Sequence, residues 1–219
     1  MQDLAADRVR AYTSGMLRID NLTKRYGDYL VFQGLTYTFG PGCVALCEED
    51  STGKSSLLGI IAGAVVPDAG DVWIDGHSLT HAPHEARARL AYVPDNCMVF
   101  PAMTGRALLE QVALDKQVAV DDAVLDLAYR LGLEPHLEKR FEQMSTGTRR
   151  KVFVTAAALG DPVVVIADGP SNGFDAQGRA VLAEVFKTWA KDRVVLFASH
   201  DPELVQACEA RTINVADLR

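Results

Sequence analysis

The chain contains 219 residues, of which 48% are hydrophobic and 23% are charged. This composition is ordinary for a globular protein, so it excludes a disordered chain, a collagen-like fibre and a disulfide-stapled mini-protein. The 22 Lys and Arg against 29 Asp and Glu give a formal net charge of −7. That charge argues against a nucleic-acid-binding protein whose affinity rests on phosphate contacts.

The amino-terminal part of the chain is predicted to be a polar tail followed by an antiparallel strand pair. Residues 1–15 lack the apolar core of a signal peptide. Apolar and polar residues alternate over 16–20 and again over 35–39, and the turn signal at 26–28 lies between them. Alternation of this kind is typical of half-buried strands, so we expect the two runs to pair.

The rest of the chain alternates between apolar strands and helices. Strands are predicted at 43–47, 71–74, 90–93, 162–167 and 194–198, and helices at 53–62, 145–159 and 176–191, with a helix-rich segment over 104–143. Strands that are apolar throughout and separated by helices predict an α/β fold whose sheet is mostly parallel and covered on both faces. The longest apolar stretch, 57–66, is far shorter than the about 20 residues of a spanning helix, so direct membrane insertion is not expected.

A phosphate-binding loop is predicted between the strand at 43–47 and the helix that opens with Gly53-Lys54-Ser55-Ser56. Backbone amides at a helix amino terminus point at an anion and carry partial positive charge. In such a loop a glycine allows close backbone approach, the lysine reaches the β- and γ-phosphates, and the first hydroxyl binds Mg²⁺. This part of the chain therefore predicts a nucleotide site in a P-loop NTPase fold.

The loop departs from the full pattern GxxxxGK[ST], because Glu48 stands where the first glycine is expected. Glu49 and Asp50 follow it, so three carboxylates precede Ser51, Thr52 and Gly53. A carboxylate about 5 Å from a phosphate charge costs about 3 kcal/mol at an effective dielectric of 20. That cost corresponds to roughly two decades of nucleotide affinity.

Further motifs occur in a fixed order along the chain, and together they resemble the ATP-binding cassette (ABC) ATPases from residue 16 to residue 200. The matching positions are Tyr26 at the adenine, Gly53-Lys54-Ser55-Ser56 at the end of Walker A, Tyr92-Val93-Pro94-Asp95 at the Q-loop, 144–151 at the signature, 163–168 at Walker B, 171–175 at the D-loop and Ser199-His200-Asp201 at the switch histidine.

The resemblance implies a RecA-like core with an antiparallel β subdomain and a helical signature subdomain at about 96–158, all within one domain over 16–219. It implies ATP and Mg²⁺ as cofactors, with Tyr26 and residues 51–56 binding the nucleotide. Ser55, Asp95 and Asp168 would hold the metal, and Asp168 and His200 would serve catalysis. Ser145, Thr146 and Gly147 of the signature would contact ATP bound to a second cassette.

The resemblance also implies partners and a location. ABC ATPases work as head-to-tail dimers, homomeric or heteromeric, against membrane-spanning transporter subunits. This chain would then be cytoplasmic and peripheral on the inner face of the plasma membrane.

Two positions depart from the family pattern at the chain's own site. Gly169 stands where the family usually has the glutamate that orients the attacking water, and Asp95 replaces the Q-loop glutamine. General-base help is worth about 10²–10⁴ in rate, so slow hydrolysis is predicted at this site. The preferred interpretation is a degenerate cassette in an asymmetric dimer. The alternatives are a competent homodimer that tolerates the substitutions, and a non-catalytic regulatory protein that binds ATP weakly or not at all.

Three smaller clusters are predicted to be structural. Cys43, Cys47, Cys97 and Cys208 show no metal-ligand spacing, so reduced core cysteines are expected. The histidines at 77, 81 and 84 are expected in a solvated loop rather than at a metal. The basic run at 149–151 is expected to form a solvated helix face.

Overall fold

The structure is a computed structural model, and it describes residues 16–47, 52–97 and 100–218. In chain order these residues form β1 (Leu17–Tyr26), β2 (Tyr29–Phe39), β3 (Gly42–Leu46), α1 (Lys54–Ile61), β4 (Ala69–Ile74), β5 (His77–Ser78), α2 (Pro83–Ala88), β6 (Leu90–Val93), α3 (Gly105–Asp115), α4 (Asp122–Arg130), α5 (Thr146–Ala156), β7 (Val164–Asp168), α6 (Ala176–Trp189), β8 (Val194–Ala198), α7 (Pro202–Ala207) and β9 (Arg211–Ile213). Short 3-10 turns occur at Glu134–His136, Phe141–Gln143 and Val215–Asp217.

An antiparallel sheet contains the predicted strand pair. Its order is β2-β1-β4-β5. The register runs from Leu17 opposite Phe39 to Tyr26 opposite Tyr29, which leaves a two-residue turn at Gly27 and Asp28. Gly27 has a φ of 58°, a conformation that tight hairpin turns require and glycine adopts without steric cost.

A parallel sheet forms the centre of the molecule in the order β6-β7-β8-β3-β9. Because side chains alternate along a strand, Val44 and Leu46 face one hydrophobic cluster while Cys43 and Ala45 face the other. The first cluster includes residues of α1 and the antiparallel sheet, and the second includes residues of α3, α4, α5 and α6. The predicted α/β architecture, a mostly parallel sheet covered on both faces with an antiparallel subdomain, is thereby confirmed.

The elements that the sequence missed are short. β5, α2, α7 and β9 have two to six residues each, too few for a hydrophobic period to emerge. Within the described ranges, no helix has the length and hydrophobicity needed to cross a membrane. The division into a tail at 1–15 and a helical subdomain at 96–158 stays a prediction, and residues 1–15 lie outside the described residues.

Three sequence expectations need correction. Arg150 is only 1% exposed, so the basic run is not a solvated face at its centre. Cys47 is exposed, whereas the other three cysteines are buried as expected. His77 lies in β5 and His84 in α2 rather than in a loop. The part of the chain that the structure describes contains no group of three or more His, Cys, Asp or Glu side chains placed to hold a metal ion.

Candidate functional site

A cleft of about 730 Å³ lies at the carboxyl ends of parallel strands, where open α/β sheets bind their ligands. It is bordered by residues that follow β3, β6, β7 and β8, and by the β1–β2 hairpin. The sequence-predicted site residues that line it are Tyr26, Thr52, Gly53, Lys54, Ser55, Ser56, Asp95, Asp168 and His200. The fold therefore gathers most of the predicted nucleotide and catalytic residues in one place.

The amino terminus of α1 opens into this cleft. Gly53 is its N-cap residue, with a φ of 91° and without a side-chain capping hydrogen bond. A Cβ on Gly53 would lie 2.5 Å from Cγ1 of Val31, so only glycine fits between the helix and β2. The first amides of a helix lack intrahelical acceptors and point beyond its end, which suits an anion. The predicted residues 48–51, including Ser51 and the three acids, lie outside the described residues.

The Ser55 hydroxyl and the Asp168 carboxylate meet beside this helix end. Asp168 is the last residue of β7 and is 7% exposed, and burial raises the pKa of its carboxyl group. The Ser55 hydroxyl donates a hydrogen bond to that carboxylate, and this bond and the charge of Lys54 both oppose the shift. A hydroxyl and a carboxylate are hard oxygen ligands, which fit Mg²⁺. A divalent cation there would relieve the cost of the buried charge.

Asp95, the third predicted metal ligand, is held by an arginine. Its Oδ1 accepts a hydrogen bond of 2.9 Å from the Arg150 guanidinium, and its backbone carbonyl accepts another of 2.5 Å. Arg150 also donates to the carbonyl of Asn172 at 3.0 Å. The negative charge at the Q-loop position is thus paired, which the sequence did not predict.

Gly169 has a left-handed backbone conformation that strains any residue with a side chain. Its φ is 58°, and its amide donates to the carbonyl of Ala198 at 3.0 Å. A Cβ would lie 2.4 Å from Nδ2 of Asn172 and 3.4 Å from Oδ1 of Asp95. A glutamate at this position would therefore be strained and would displace Asn172, so a Gly169→Glu variant does not simply restore a missing acid.

The aromatic wall of the cleft comes from the β1–β2 hairpin. The Tyr26 ring is 52% exposed, its hydroxyl lies 3.3 Å from Oγ of Ser56, and the Lys24 ammonium lies 5.0 Å from the ring centroid. Tyr29 is 61% exposed and also lines the cleft, which the sequence reading missed. The signal was present, because residues that flank a two-residue turn pair directly across the strands.

The signature residues lie apart from this cleft. Ser145 is the N-cap of α5, accepting from the Thr148 amide at 3.1 Å, and Ser145 and Thr146 are exposed. Gly147 is buried against the D-loop, where a Cβ would lie 2.1 Å from the carbonyl oxygen of Gly173. Their separation from the cleft is compatible with contact to a second molecule's nucleotide.

Two more residues of the cleft were not predicted as site residues. Asn172 of the D-loop and Ser199 before the switch histidine both line it. The Ser199 amide donates to the carbonyl of Leu46, and its hydroxyl accepts from the Asp201 amide at 3.0 Å. These contacts fix the loop that presents the exposed His200 to the cleft. The sequence could have indicated Asn172 and Ser199, because they lie within or beside motifs that were already recognised.

Comparison with known proteins matches residues 33–172 to the family described as ABC transporter. The human phospholipid-transporting ATPase ABCA7 is 32% identical over 98% of this chain, which spans 10% of that protein. The uncharacterized ABC transporter ATP-binding protein YybJ of Bacillus subtilis is 24% identical over 89% of this chain and 90% of its own length. The Nod factor export ATP-binding protein I of Paraburkholderia xenovorans is 27% identical over 84% of this chain and 62% of its own length.

Solved structures show the same fold. An ATP-binding subunit of an ABC transporter superposes with a TM-score of 0.79 at 24% identity, covering 91% of this chain and 86% of its own. A bacterial ABC transporter cassette solved as a dimer also has a TM-score of 0.79, at 19% identity, over 93% of this chain and 97% of its own.

Proposed function

Because this chain belongs to the ABC transporter family, we propose that it is the ATP-binding cassette that couples ATP binding and hydrolysis to transport by membrane-spanning subunits. The observation that carries the proposal is the cleft in which the amino terminus of α1, the Lys54 side chain and the Ser55–Asp168 pair converge. Helix amides and a lysine supply the positive end of a phosphate site, and the oxygen pair supplies the metal ligands.

The family uses ATP with Mg²⁺, and the donor set of the cleft fits both. In this proposal the metal is held by Ser55 and Asp168, and His200 contacts the γ-phosphate. The family resemblance alone would add Asp95 to the metal ligands. When bound, the metal neutralises charge on the phosphates. The nucleotide is held by Tyr26, Ser51, Thr52, Gly53, Lys54, Ser55 and Ser56.

The chain's own site is proposed to turn over slowly. Gly169 supplies no carboxylate, and its left-handed backbone admits none without strain. Glu48 adds a negative charge in the loop that would receive the phosphates. Together these residues support a degenerate cassette that retains nucleotide binding and contributes less to hydrolysis than an ordinary cassette does.

The partners follow from the same assignment. Ser145, Thr146 and Gly147 of this chain are proposed to complete the ATP site of a second cassette in a head-to-tail dimer. Membrane-spanning subunits are proposed to place that dimer on the cytoplasmic face of the plasma membrane. A non-catalytic protein that uses the cassette only as a scaffold is not favoured, because these relatives are named as ATP-binding proteins.

Calorimetric titration of the purified chain with ATP and Mg²⁺ tests nucleotide binding. We expect saturable binding, and we expect Lys54→Ala to abolish it, because this lysine is 7% exposed and lines the cleft. Lys191→Ala is the matched control, since Lys191 is exposed and does not line the cleft. Failure of the wild-type chain to bind ATP at any Mg²⁺ concentration would contradict the proposed function.

A mixing experiment tests the degenerate site. Phosphate release by the chain alone should be slow and should rise when a hydrolytically competent cassette from the same transporter is added. Ser145→Ala should remove that rise without changing ATP binding by this chain. Rapid turnover by the chain alone would show instead a competent homodimer.

A further inference from the structure

We propose that the Asp95 carboxylate supplies, from the Q-loop position, the acid that is absent at Gly169, so that residual ATP hydrolysis at this chain's own site runs through Asp95. The inference rests on the proposed function, because it assigns a catalytic residue within the same nucleotide cleft. It replaces the metal-ligand role that the resemblance gives to Asp95.

Strand register places the two positions side by side. β6 and β7 are adjacent and parallel, and Val93 lies opposite Ala167. Asp95 and Gly169 are each two residues further along, at the same edge of the sheet. Oδ1 of Asp95 lies 3.4 Å from the position of a Cβ on Gly169. A glutamate carboxyl group lies two bonds beyond its Cβ, so the Asp95 carboxylate lies in the volume that a glutamate at 169 would use.

The Asp95 carboxylate is also oriented. The buried Arg150 side chain donates to both Oδ1 and the backbone carbonyl of Asp95. Its second nitrogen donates to the carbonyl of Asn172, which ties the arginine to the D-loop. A planar guanidinium that holds one carboxylate oxygen fixes the direction of the other. The Asp95 side chain remains 65% exposed and lines the cleft, so it is accessible to water there.

The other acid of the cleft is already engaged. Asp168 is buried and accepts the Ser55 hydroxyl, the arrangement expected of a metal ligand. Among the described residues that line the cleft, Asp95 and Asp168 are the two carboxylates. Asp168 is therefore assigned to the metal, and Asp95 is the carboxylate that remains to orient the attacking water.

In the proposed step Asp95 accepts a hydrogen bond from that water and takes its proton as the water oxygen bonds to the γ-phosphorus. The bond between that phosphorus and the oxygen that bridges to the β-phosphate breaks, and its electron pair stays on ADP. Asp95 then releases the proton to solvent, so the products are ADP and phosphate. Orientation and proton acceptance of this kind are worth about 10²–10⁴ in rate.

Asp95→Asn tests the assignment, because asparagine keeps an oxygen for Arg150 and removes the charge. Three quantities are measured: phosphate release in single turnover, calorimetric affinity for ATP over a Mg²⁺ titration, and thermal melting. We expect release to fall by about 10²-fold or more while ATP affinity and its Mg²⁺ dependence stay unchanged. The Tm should fall, because the buried Arg150 side chain loses its charged partner. Asp126→Asn, which alters an exposed acid outside the cleft, should leave all three unchanged.

Several outcomes would overturn the inference. Weaker ATP binding with a shifted Mg²⁺ dependence in Asp95→Asn would identify a metal ligand instead. ATP binding by the wild-type chain without detectable phosphate release would leave the proposed function intact and remove this one. Absence of ATP binding would remove both. Unchanged release in Asp95→Asn would contradict the assignment. If that variant is unfolded at the assay temperature, release is measured in Asp95→Ser, which also lacks the carboxylate, and unchanged release there would contradict it equally.

Discussion

At the residue scale, Gly169 is the reason that the cleft has no carboxylate at the position directly after β7. Its backbone lies in the left-handed region at the end of β7, and its neighbour Asn172 occupies the space beside it. Glycine at this position therefore both permits the left-handed backbone and leaves the cleft without a carboxylate there.

Gly169→Ala should destabilise the protein through two separable effects. The left-handed conformation costs an L-residue about 1–2 kcal/mol, and the new Cβ would lie 2.4 Å from Nδ2 of Asn172. Gly132→Ala isolates the first effect, because Gly132 has a φ of 70° and no atom within 4 Å of its Cβ position. Denaturant unfolding should give Gly169→Ala a lower free energy of unfolding than Gly132→Ala.

The contribution of Asn172 is measured by repeating the Gly169→Ala substitution in an Asn172→Ala background. Without the Asn172 amide, the loss of unfolding free energy caused by Gly169→Ala should come close to that caused by Gly132→Ala. If Gly169→Ala and Gly132→Ala cost the same in the wild-type background, the contact with Asn172 contributes nothing.

At the scale of elements, Ser145 caps α5 in addition to its proposed contact with a partner's nucleotide. Its side chain satisfies the Thr148 amide, while Thr146 beside it is exposed. Loss of an N-cap side chain costs typically about 1 kcal/mol. A stability defect in a Ser145 variant is thus expected whether or not the residue contacts a partner's nucleotide.

Ser145→Ala and Ser145→Asn separate the two roles. The alanine variant should lose about 1 kcal/mol in urea unfolding, whereas asparagine caps as well as serine does. If Ser145 also contacts the partner's ATP, Ser145→Asn should keep full stability and still fail to stimulate a competent cassette. Normal stimulation by a stable Ser145→Asn variant would leave only the capping role.

The Lys116 side chain connects the end of α3 to β6, and we expect its charge to make stability pH-dependent. Lys116 caps α3, and its ammonium donates to the carbonyl of Leu90 at 3.1 Å. Burial, with a smaller effect of the Arg193 charge, lowers the pKa of Lys116 to about 8. The unfolded chain holds this proton up to about pH 10.4, so the folded state loses it first.

The free energy of unfolding should therefore rise between about pH 8 and pH 10, where the unfolded state binds more protons at this site. Lys116→Met should abolish that part of the rise, and the exposed Lys191→Met should keep it. Urea unfolding at pH 7, 8, 9 and 10 measures the difference. An identical pH profile for wild type and Lys116→Met would refute a lowered pKa.

At the scale of the whole molecule, the parallel sheet joins two hydrophobic clusters into one core. Phe186 of α6 is fully buried, and its ring centroid lies 5.5 Å from that of Phe197 of β8. Because strands of the same sheet contribute to both faces, a defect on one face is expected to destabilise the other.

Phe186→Ala should cost about 3–5 kcal/mol, since it removes a large buried side chain and leaves a cavity. Leu114→Ala is the control at a side chain that is 71% exposed, and it should change stability by no more than about 0.5 kcal/mol. Far-UV circular dichroism and tryptophan fluorescence should report a single transition in both variants. Separate transitions would show that the two clusters unfold independently.

The architecture was predictable because its strands and helices have clear hydrophobic patterns in the sequence. β6 and β8 are apolar throughout, as buried strands are, and alternation at 16–20 and 35–39 predicts the paired β1 and β2. The location of the cleft was predictable because parallel strands end at the same edge of a sheet. Tyr29 and Asn172 escaped prediction because their membership of the site depends on the hairpin register and the D-loop path.

The sequence by itself determined the fold class, the family and the positions of Lys54, Ser55, Asp168 and His200, because contiguous motifs and periodicity encode them locally. Only the tertiary structure decided that Asp168 is buried and that Asp95 is paired. It buries Arg150 against Asp95 and gives Gly169 a left-handed backbone beside the Asp95 carboxylate. Asp95 lies 55 positions from Arg150 and 74 from Gly169 in the chain. Strand order and packing bring such distant residues together, and no local sequence pattern records that.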